Sequence, residues 1–238
     1  MAGVKDIRHT EDWQALPWRA FERNVSRLQQ RIYQAARCDD HQRVHNLQRL
    51  LLGSWSARCL AVRKVTQENR GKRTPGVDGV ASLTPRQRLA LAHELEDLNR
   101  KPDPIRRTYI PKSSGGQRPL GIPTMANRAL QALVKLALEP EWEARFEPNS
   151  YGFRPGRSAH DAIEAIFIAI CHKPKYVLDA DIEKCFEGID HEALLTKMHA
   201  IEPITQLVRG WLKAGIVDKG ETLYPEAGVP QGSAPLPP

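Results

Sequence analysis

Trp18, Phe21, Val25, Leu28 and Ile32 recur at alternating spacings of three and four, the period of an amphipathic helix. Arg19, Arg23, Arg27 and Arg31 recur every four residues beside that stripe. A second stripe runs through Val44, Leu47, Leu51, Trp55 and Val62, with Asp39-Asp40 between the two as an N-cap or turn. Residues 11–70 therefore read as a helical hairpin with one arginine-rich face. A glycine-rich basic loop follows, from Asn69 to Val80. Pro85 to Arg100 carries Leu89, Ala92, Leu95 and Leu98 at helical spacing, and Lys101-Pro-Asp-Pro104 ends that helix.

From residue 105 the period changes. Ile105–Pro111 and Gln117–Pro123 read as short strands, and Lys112-Ser-Ser-Gly-Gly116 between them is a hairpin turn signal. Met125 to Phe146 reads as a long helix interrupted near Pro140. Pro148–Arg157 is a loop, and Ser158 caps a helix to about Cys171. Lys175–Asp181 reads as a strand, His191–Met198 and Pro203–Lys213 as helices, and Asp218-Lys-Gly220 as the turn of a second hairpin. Pro235-Leu-Pro-Pro238 cannot continue a helix. A helical arm, an α/β segment and a strand flanked by helices make an α+β fold with a small sheet, rather than a doubly wound one. The loop places the division at 1–68 and 69–238.

Charge sharpens this picture. The net charge is +7, and it is uneven: between Arg19 and Arg73 thirteen cations face only Glu22, Asp39, Asp40 and Glu68. A run of one sign favours a polyanionic partner over an ordinary solvated surface. Cys38, Cys59, Cys171 and Cys185 have no CxxC spacing, which suggests neither zinc nor a disulfide framework and fits a reducing cytoplasm. The N-terminus has no apolar signal-like region, and the longest apolar run, Ala165–Cys171, is too short to span a bilayer. A cytoplasmic protein with no membrane partner is the expectation.

The candidate chemistry centres on Asp181, at the end of the apolar run Tyr176-Val-Leu-Asp-Ala-Asp181 and five residues before Phe186. A carboxylate fixed at a strand end is what two-metal phosphoryl transfer requires. A helix N-cap after a strand is the competing reading, and taken alone it is the favoured one. Asp179 shares a strand face with Asp181 but sits roughly 6.5–7 Å away, against ~3.5–4 Å between paired metals, and reads as structural. His160 and His191 have no partner at ligand spacing and read as helix-start residues.

In order along the chain stand Thr74-Pro-Gly-Val-Asp-Gly79, Arg106-Arg-Thr-Tyr-Ile-Pro-Lys112, Arg118-Pro-Leu-Gly-Ile-Pro-Thr124, Ser150-Tyr-Gly-Phe-Arg-Pro-Gly-Arg157, Asp181 to His191 and Gly228-Val-Pro-Gln-Gly232. With the helical region Trp13–Val65 before them, these blocks resemble the reverse transcriptase/maturase encoded within bacterial group II introns. Each block is moderately specific, and their shared order and spacing are very specific. The resemblance implies a partial right-hand polymerase, fingers and incomplete palm, with a helical N-terminal extension. The family copies intron RNA into DNA and assists splicing by binding the intron. Its partners are intron RNA as template, a primer and dNTP, and its cofactor is Mg²⁺.

Residue by residue, the resemblance implies that Asp181 is the catalytic, metal-holding carboxylate, and it turns the balance against the cap. Phe186 packs under the incoming sugar and excludes a 2′-hydroxyl. Arg106 and Lys112 reach the triphosphate, Arg118 reaches it or the template backbone, and Gln231 lies beside the nucleotide's minor-groove side. Arg154 and Arg157 contact template phosphate. Arg23, Arg27, Arg31, Arg70, Lys72 and Arg73 form the RNA-binding arm. The sequence departs from the family after Gly232, where Ser233-Ala-Pro-Leu-Pro-Pro238 stands, and a Tyr-Ala-Asp-Asp-type motif is absent. A fragment truncated before that motif is the expectation, and a non-catalytic RNA-binding fragment is the alternative.

Overall fold

The computed structural model describes residues 12–111 and 115–229. A short 3-10 turn, Trp13–Ala15, leads into α1 (Trp18–Arg37), which turns Phe21, Val25, Ile32, Ala35 and Ala36 inward. Asp39 adopts a left-handed backbone, and the Asp40 carboxylate accepts the Arg43 N–H at 3.0 Å to cap α2 (His41–Leu52). The second apolar stripe does not lie on one helix. Gly53-Ser54 ends α2, and Trp55 and Val62 fall on α3 (Trp55–Arg63), which runs into a π turn at Lys64–Glu68. The expected hairpin is thus three helices. α4 covers Pro85–Glu94 behind a reciprocal Thr84–Gln87 cap. It stops short of Arg100, and just beyond it the Asp97 side chain accepts the Asn99 N–H at 2.9 Å, a local alternative to helical pairing.

The strands β1 (Ile105–Pro111) and β2 (Gln117–Ile122) form the expected antiparallel hairpin, in register from Arg106↔Ile122 to Pro111↔Gln117. The strands β3 (Ile216–Asp218) and β4 (Glu221–Leu223) form the second, and the sheet order is β2-β1-β3-β4 with β3 parallel to β1. Lys219 and Gly220 both have positive φ, 51° and 94°, as a tight two-residue hairpin turn demands.

The element that joins these parts is α5 (Met125–Arg145). It packs on α1, α2 and α3, so the two segments on either side of residue 69 share one core. Pro140 does not interrupt it, contrary to the sequence expectation. Proline lacks the N–H that would bond the carbonyl four residues earlier. That carbonyl, Leu136 O, instead accepts from Gln29 Nε2 of α1 at 3.0 Å. The helix keeps its course because a neighbour supplies the missing donor. Below it lies a buried polar contact: Gln48 Nε2 donates to Glu141 Oε2 at 2.7 Å, and Arg145 pairs with Glu141 Oε1 at 2.8 Å.

The loop before α4 is fastened to the start of α5. Arg128, buried, donates through Nε to Pro123 O at 2.8 Å, through Nη1 to Gly71 O at 2.9 Å and through Nη2 to Thr74 O. Arg106 holds the next carbonyl, Pro75 O, with Nε at 3.1 Å and Nη2 at 2.8 Å. At Gly76 the two segments touch so closely that a Cβ would stand 2.7 Å from Thr124 Cα and 2.8 Å from its nitrogen.

The remaining helices are α6 (Ala159–Ile170), capped by Ser158 and Asp161, α7 (His191–Met198), capped by Asp190, and α8 (Glu202–Leu212). α6 buries none of its residues. Lys175–Asp181 is not a strand, and this corrects the sequence reading. A strand exists by pairing, and among the described residues no neighbouring backbone pairs with it. Tyr176, Val177 and Leu178 are exposed there.

Arg128→Met tests the fastening. It keeps an apolar stem but leaves three carbonyls without their donor, so a loss of about 3 kcal/mol or more is expected. At this chain length that lowers the melting temperature by roughly 6–12 °C. Urea or thermal unfolding of the variant beside the wild type measures it.

Candidate nucleic-acid interface

Burying Phe21, Val25 and Ile32 forces the intervening arginines of α1 outward. Arg19, Arg23, Arg27 and Arg31 are all exposed, and among the described residues Arg23, Arg27 and Arg31 form no ion pair. A shallow groove runs beside them, lined on α1 by Asn24, Arg27, Leu28 and Arg31, and opposite by Arg49 and Leu50 of α2. Arg49 had no distinguishing signal in the sequence beyond its place in the basic run. It joins the groove because the reversal at Asp39-Asp40 lays α2 back along α1. Not every arginine of the arm is free. Arg63 pairs with Glu22 at 2.6 Å and Glu68 at 2.9 Å and lies over the Trp18 ring.

The β1–β2 register sets the fingers-like hairpin. Arg106, Thr108 and Ile110 share a face with their partners Ile122, Leu120 and Arg118. Arg106 and Arg118 thus point the same way, about 13 Å apart along the strand. Arg118 is exposed, whereas Arg106 keeps only Nη1 clear of its hold on Pro75 O. On the opposite face Arg107 and the Tyr109 hydroxyl both reach Asp218, and that carboxylate pushes the tyrosine's pKa up. Lys112 and Gln231 lie outside the described residues.

Asp181 and Phe186 stand in an exposed stretch. Asp181 is neither at a strand end nor a helix cap; its Oδ1 accepts the N–H of Ile182 at 2.9 Å. Among the described residues no three His, Cys, Asp or Glu side chains converge as a metal's ligand set. The donor atoms assembled here therefore do not fit a complete two-metal site. Phe186 lies in the single turn Cys185–Glu187 and is half exposed.

That turn is met by the later glycine block. Val229 N donates to Phe186 O at 2.7 Å, Gly228 N to Ile189 O at 2.9 Å, and His191 Nε2 bonds Gly228 O at 2.8 Å. Gly228 has φ 84°, and a Cβ there would stand 2.8 Å from Glu187 O and 2.9 Å from Phe186 O. Only glycine permits this contact. His191 is a helix-start residue as expected, but buried, and its latch onto a carbonyl 37 residues away carried no local signal in the sequence.

The expectation for Arg154 is corrected. Its guanidinium holds Glu143 through Nε at 3.1 Å and Nη2 at 2.7 Å, donates through Nη1 to Glu147 O and Ser150 O, and lies over Phe146. An arginine with four of its five N–H groups engaged by its own chain is a strut for the loop between α5 and α6. Arg157, exposed and lying over Tyr151, is the free member of the pair. Arg70 and Arg73 are exposed, and Lys72 donates to Gln67 O at 2.7 Å.

A basic helical arm, a basic hairpin and an aromatic turn joined to a glycine block are thus set out in the order of the sequence blocks. Comparison with known families agrees. Residues 13–95 match the N-terminal domain of reverse transcriptase, and residues 110–237 match reverse transcriptase (RNA-dependent DNA polymerase). The chain belongs to the reverse transcriptase family. It is 35% identical to Protein YkfC of Escherichia coli (strain K12), over 87% of this chain and 57% of that protein. It is 34% identical to the group II intron-encoded protein LtrA of Lactococcus lactis subsp. cremoris, over 69% of this chain and 28% of LtrA. It is 29% identical to maturase-like protein 1 of Euglena gracilis, over 82% of this chain and 44% of that protein. The chain thus spans between about a quarter and three fifths of the length of these relatives.

Arg154→Gln separates strut from contact. Loss of the paired, buried guanidinium is expected to cost about 3 kcal/mol and to lower the melting temperature, with RNA affinity of the folded variant unchanged. A variant as stable as the wild type that binds RNA more weakly would restore the phosphate assignment.

Proposed function

We propose that this chain is the RNA-binding, N-terminal portion of a group II intron-type reverse transcriptase/maturase. The observation that carries the reading is the groove between α1 and α2, where Arg27, Arg31 and Arg49 converge while Arg23 extends the same face. In an ordinary solvated helix surface, carboxylates are interspersed with such cations. Here the nearby acids serve other arginines, as Glu22 serves Arg63. Guanidinium groups at helical spacing suit the phosphates of a structured RNA. Intron RNA is the partner this reading assigns, with one relative named as group II intron-encoded and another as maturase-like.

Polymerisation is the function of the whole protein on this reading. Arg118 and Lys112 of the hairpin would neutralise the triphosphate, Arg106 would reach it through Nη1, and Arg157 would hold template phosphate. Phe186 would floor the sugar pocket, and Gln231 would meet the nucleotide. Asp181 would give one oxygen ligand to Mg²⁺, a hard cation that binds through carboxylates and phosphates. No catalytic step can be derived from these residues alone, because one carboxylate does not make the two-metal clamp. Among the described residues the donor set offers one carboxylate, so the reading rests on RNA binding.

Two measurements check this. Binding of the chain to structured intron RNA should weaken steeply with salt. Changing Arg23, Arg27 and Arg31 together to Gln should reduce the log–log slope by roughly 0.7–0.9 for each phosphate no longer neutralised. Templated primer extension with dNTP and Mg²⁺ should give no product from the pure chain. An unchanged slope and affinity in the triple variant removes the arm from the interface. Extension that disappears in Asp181→Ala shows that the site is complete after all.

A further inference from the structure

A second basic cavity lies away from the groove, between the end of α3 and the start of α4. It measures ≈ 270 Å³ and is lined by Thr66, Gln67, Lys72, Arg73, Ser82 and Arg88. Three of the six are cations and none is an acid. The volume is several times the roughly 30 Å³ that one water occupies, enough for a tetrahedral oxyanion and its waters.

The state of Arg88 is the informative detail. It is half-buried, and its Nε–H is shut off from solvent with no acceptor. Burial pulls its pKa down, with no carboxylate acting in the other direction. Other arginines removed from solvent in this protein have partners for their guanidinium: Arg128 three carbonyls, Arg154 Glu143, Arg63 two glutamates, and Arg58, whose Nε is also unbonded, Glu96 through Nη1. An unmatched guanidinium in a cavity costs stability unless something accepts from it.

Among the described residues, none of the wall's acceptors reaches Arg88 Nε. Gln67 uses its side-chain oxygen for Trp13 Nε1 at 2.9 Å and its carbonyl for Lys72 Nζ at 2.7 Å. The Thr66 hydroxyl donates to Val62 O at 2.7 Å. Lys72 is thereby pinned at the wall with two N–H groups left over. Its own carbonyl accepts the Ser82 N–H at 3.2 Å across the open rim, and Ser82 has φ 54°, a strained value for a residue with a side chain. Among the described residues no aromatic ring lines the space for a base to stack on.

We propose that this cavity is a binding site for a single phosphate group, held by Arg88, Lys72 and Arg73 with the Ser82 hydroxyl. Two guanidinium groups and an ammonium around one small space match the charge and several oxygens of a phosphate better than those of a carboxylate. The phosphate can belong to the backbone of a bound RNA, to the end of an RNA strand, or to a free anion. The first two sources rest on the RNA-binding reading above; the third does not.

The test uses the full chain. Thermal unfolding is followed in sodium phosphate and in sodium chloride at matched ionic strength, for wild type, Arg88→Gln and Arg73→Gln. Arg73 is exposed, so its variant is expected to fold even if Arg88→Gln does not. Phosphate should raise the wild-type melting temperature above its value in chloride, and both variants should lose that increment. In parallel, otherwise identical RNA strands with 5′-phosphate, 3′-phosphate or hydroxyl ends are titrated. If the site takes a strand end, one phosphorylated strand binds the wild type about tenfold tighter than the hydroxyl strand, and Arg73→Gln abolishes the difference. If it takes backbone phosphate, the ends do not matter and the salt slope of each variant falls by about 0.7. A phosphate increment that both variants lose, with no variant effect on any RNA, assigns the site to a free anion, and an increment that both variants keep is the general effect of phosphate and overturns the proposal. Equal melting in phosphate and chloride, with both variants binding every RNA as the wild type does, overturns the proposal. Loss of RNA binding by the wild type with the phosphate increment intact overturns the RNA reading alone.

Discussion

The buried guanidinium of Arg128 is the contact on which the arrangement of the two segments depends. One side chain from the first turn of α5 binds Pro123, on its own side of the molecule, and Gly71 and Thr74, on the other. A cation with planar, fixed donors can satisfy several carbonyls at once, which neither a lysine nor a neutral amide can match. With the loop held there, Arg106 can reach Pro75, and Gly76 can lie against Thr124 with no room for a side chain. The basic loop and the hairpin β1–β2 thus have a defined relation. The cavity around Lys72 and Arg88 opens beside the same loop, so the clamp also sets its wall.

α5 carries the consequence into the core. It buries Leu130, Leu133, Val134, Ala137 and Leu138 against the N-terminal helices. The burial is apolar, but the one carbonyl that the proline leaves without a helical donor is served by a polar side chain on α1. Pro140 leaves Leu136 O without its helical donor, and Gln29 provides one. A proline in the middle of a helix would otherwise break or kink it. The arm is therefore more than an appended binding surface. It completes the backbone of the helix on which the hairpin is mounted, and the same α1 that repairs α5 inside presents its arginines outside.

The arginines divide into two populations with different work. Arg58, Arg63, Arg128 and Arg154 are tied to the chain's own acids and carbonyls. Arg23, Arg27 and Arg31 are turned to solvent without acid partners among the described residues, and these can answer a polyanion. The formal charge of +7 therefore understates how concentrated the available charge is. At the other end of the chain the balance reverses. α6 and the stretch with Tyr176, Val177 and Leu178 expose apolar side chains, and Asp181 stands in that same exposed stretch.

Elements with a local cause were legible in the chain before it folded. The apolar stripe of α1, the Asp40, Ser158 and Asp190 caps, both hairpins and the Asp218-Lys-Gly220 turn follow from spacing, side-chain capping and permitted φ, each within a few residues. The order of the motif blocks was equally plain, and with it the family. Other features depend on partners distant in the chain. Whether Pro140 breaks a helix depends on Gln29, which is more than a hundred residues away. Whether Lys175–Asp181 is a strand depends on a neighbour to pair with, since an isolated strand has no hydrogen bonds of its own. Arg154 and Arg157 sit three residues apart in one motif, yet one is consumed by Glu143 and the other is free. The Phe186 turn and Gly228 meet through backbone bonds that no spacing announces. Charge and periodicity are written in the chain, whereas the satisfaction of each donor and acceptor is a property of the folded whole.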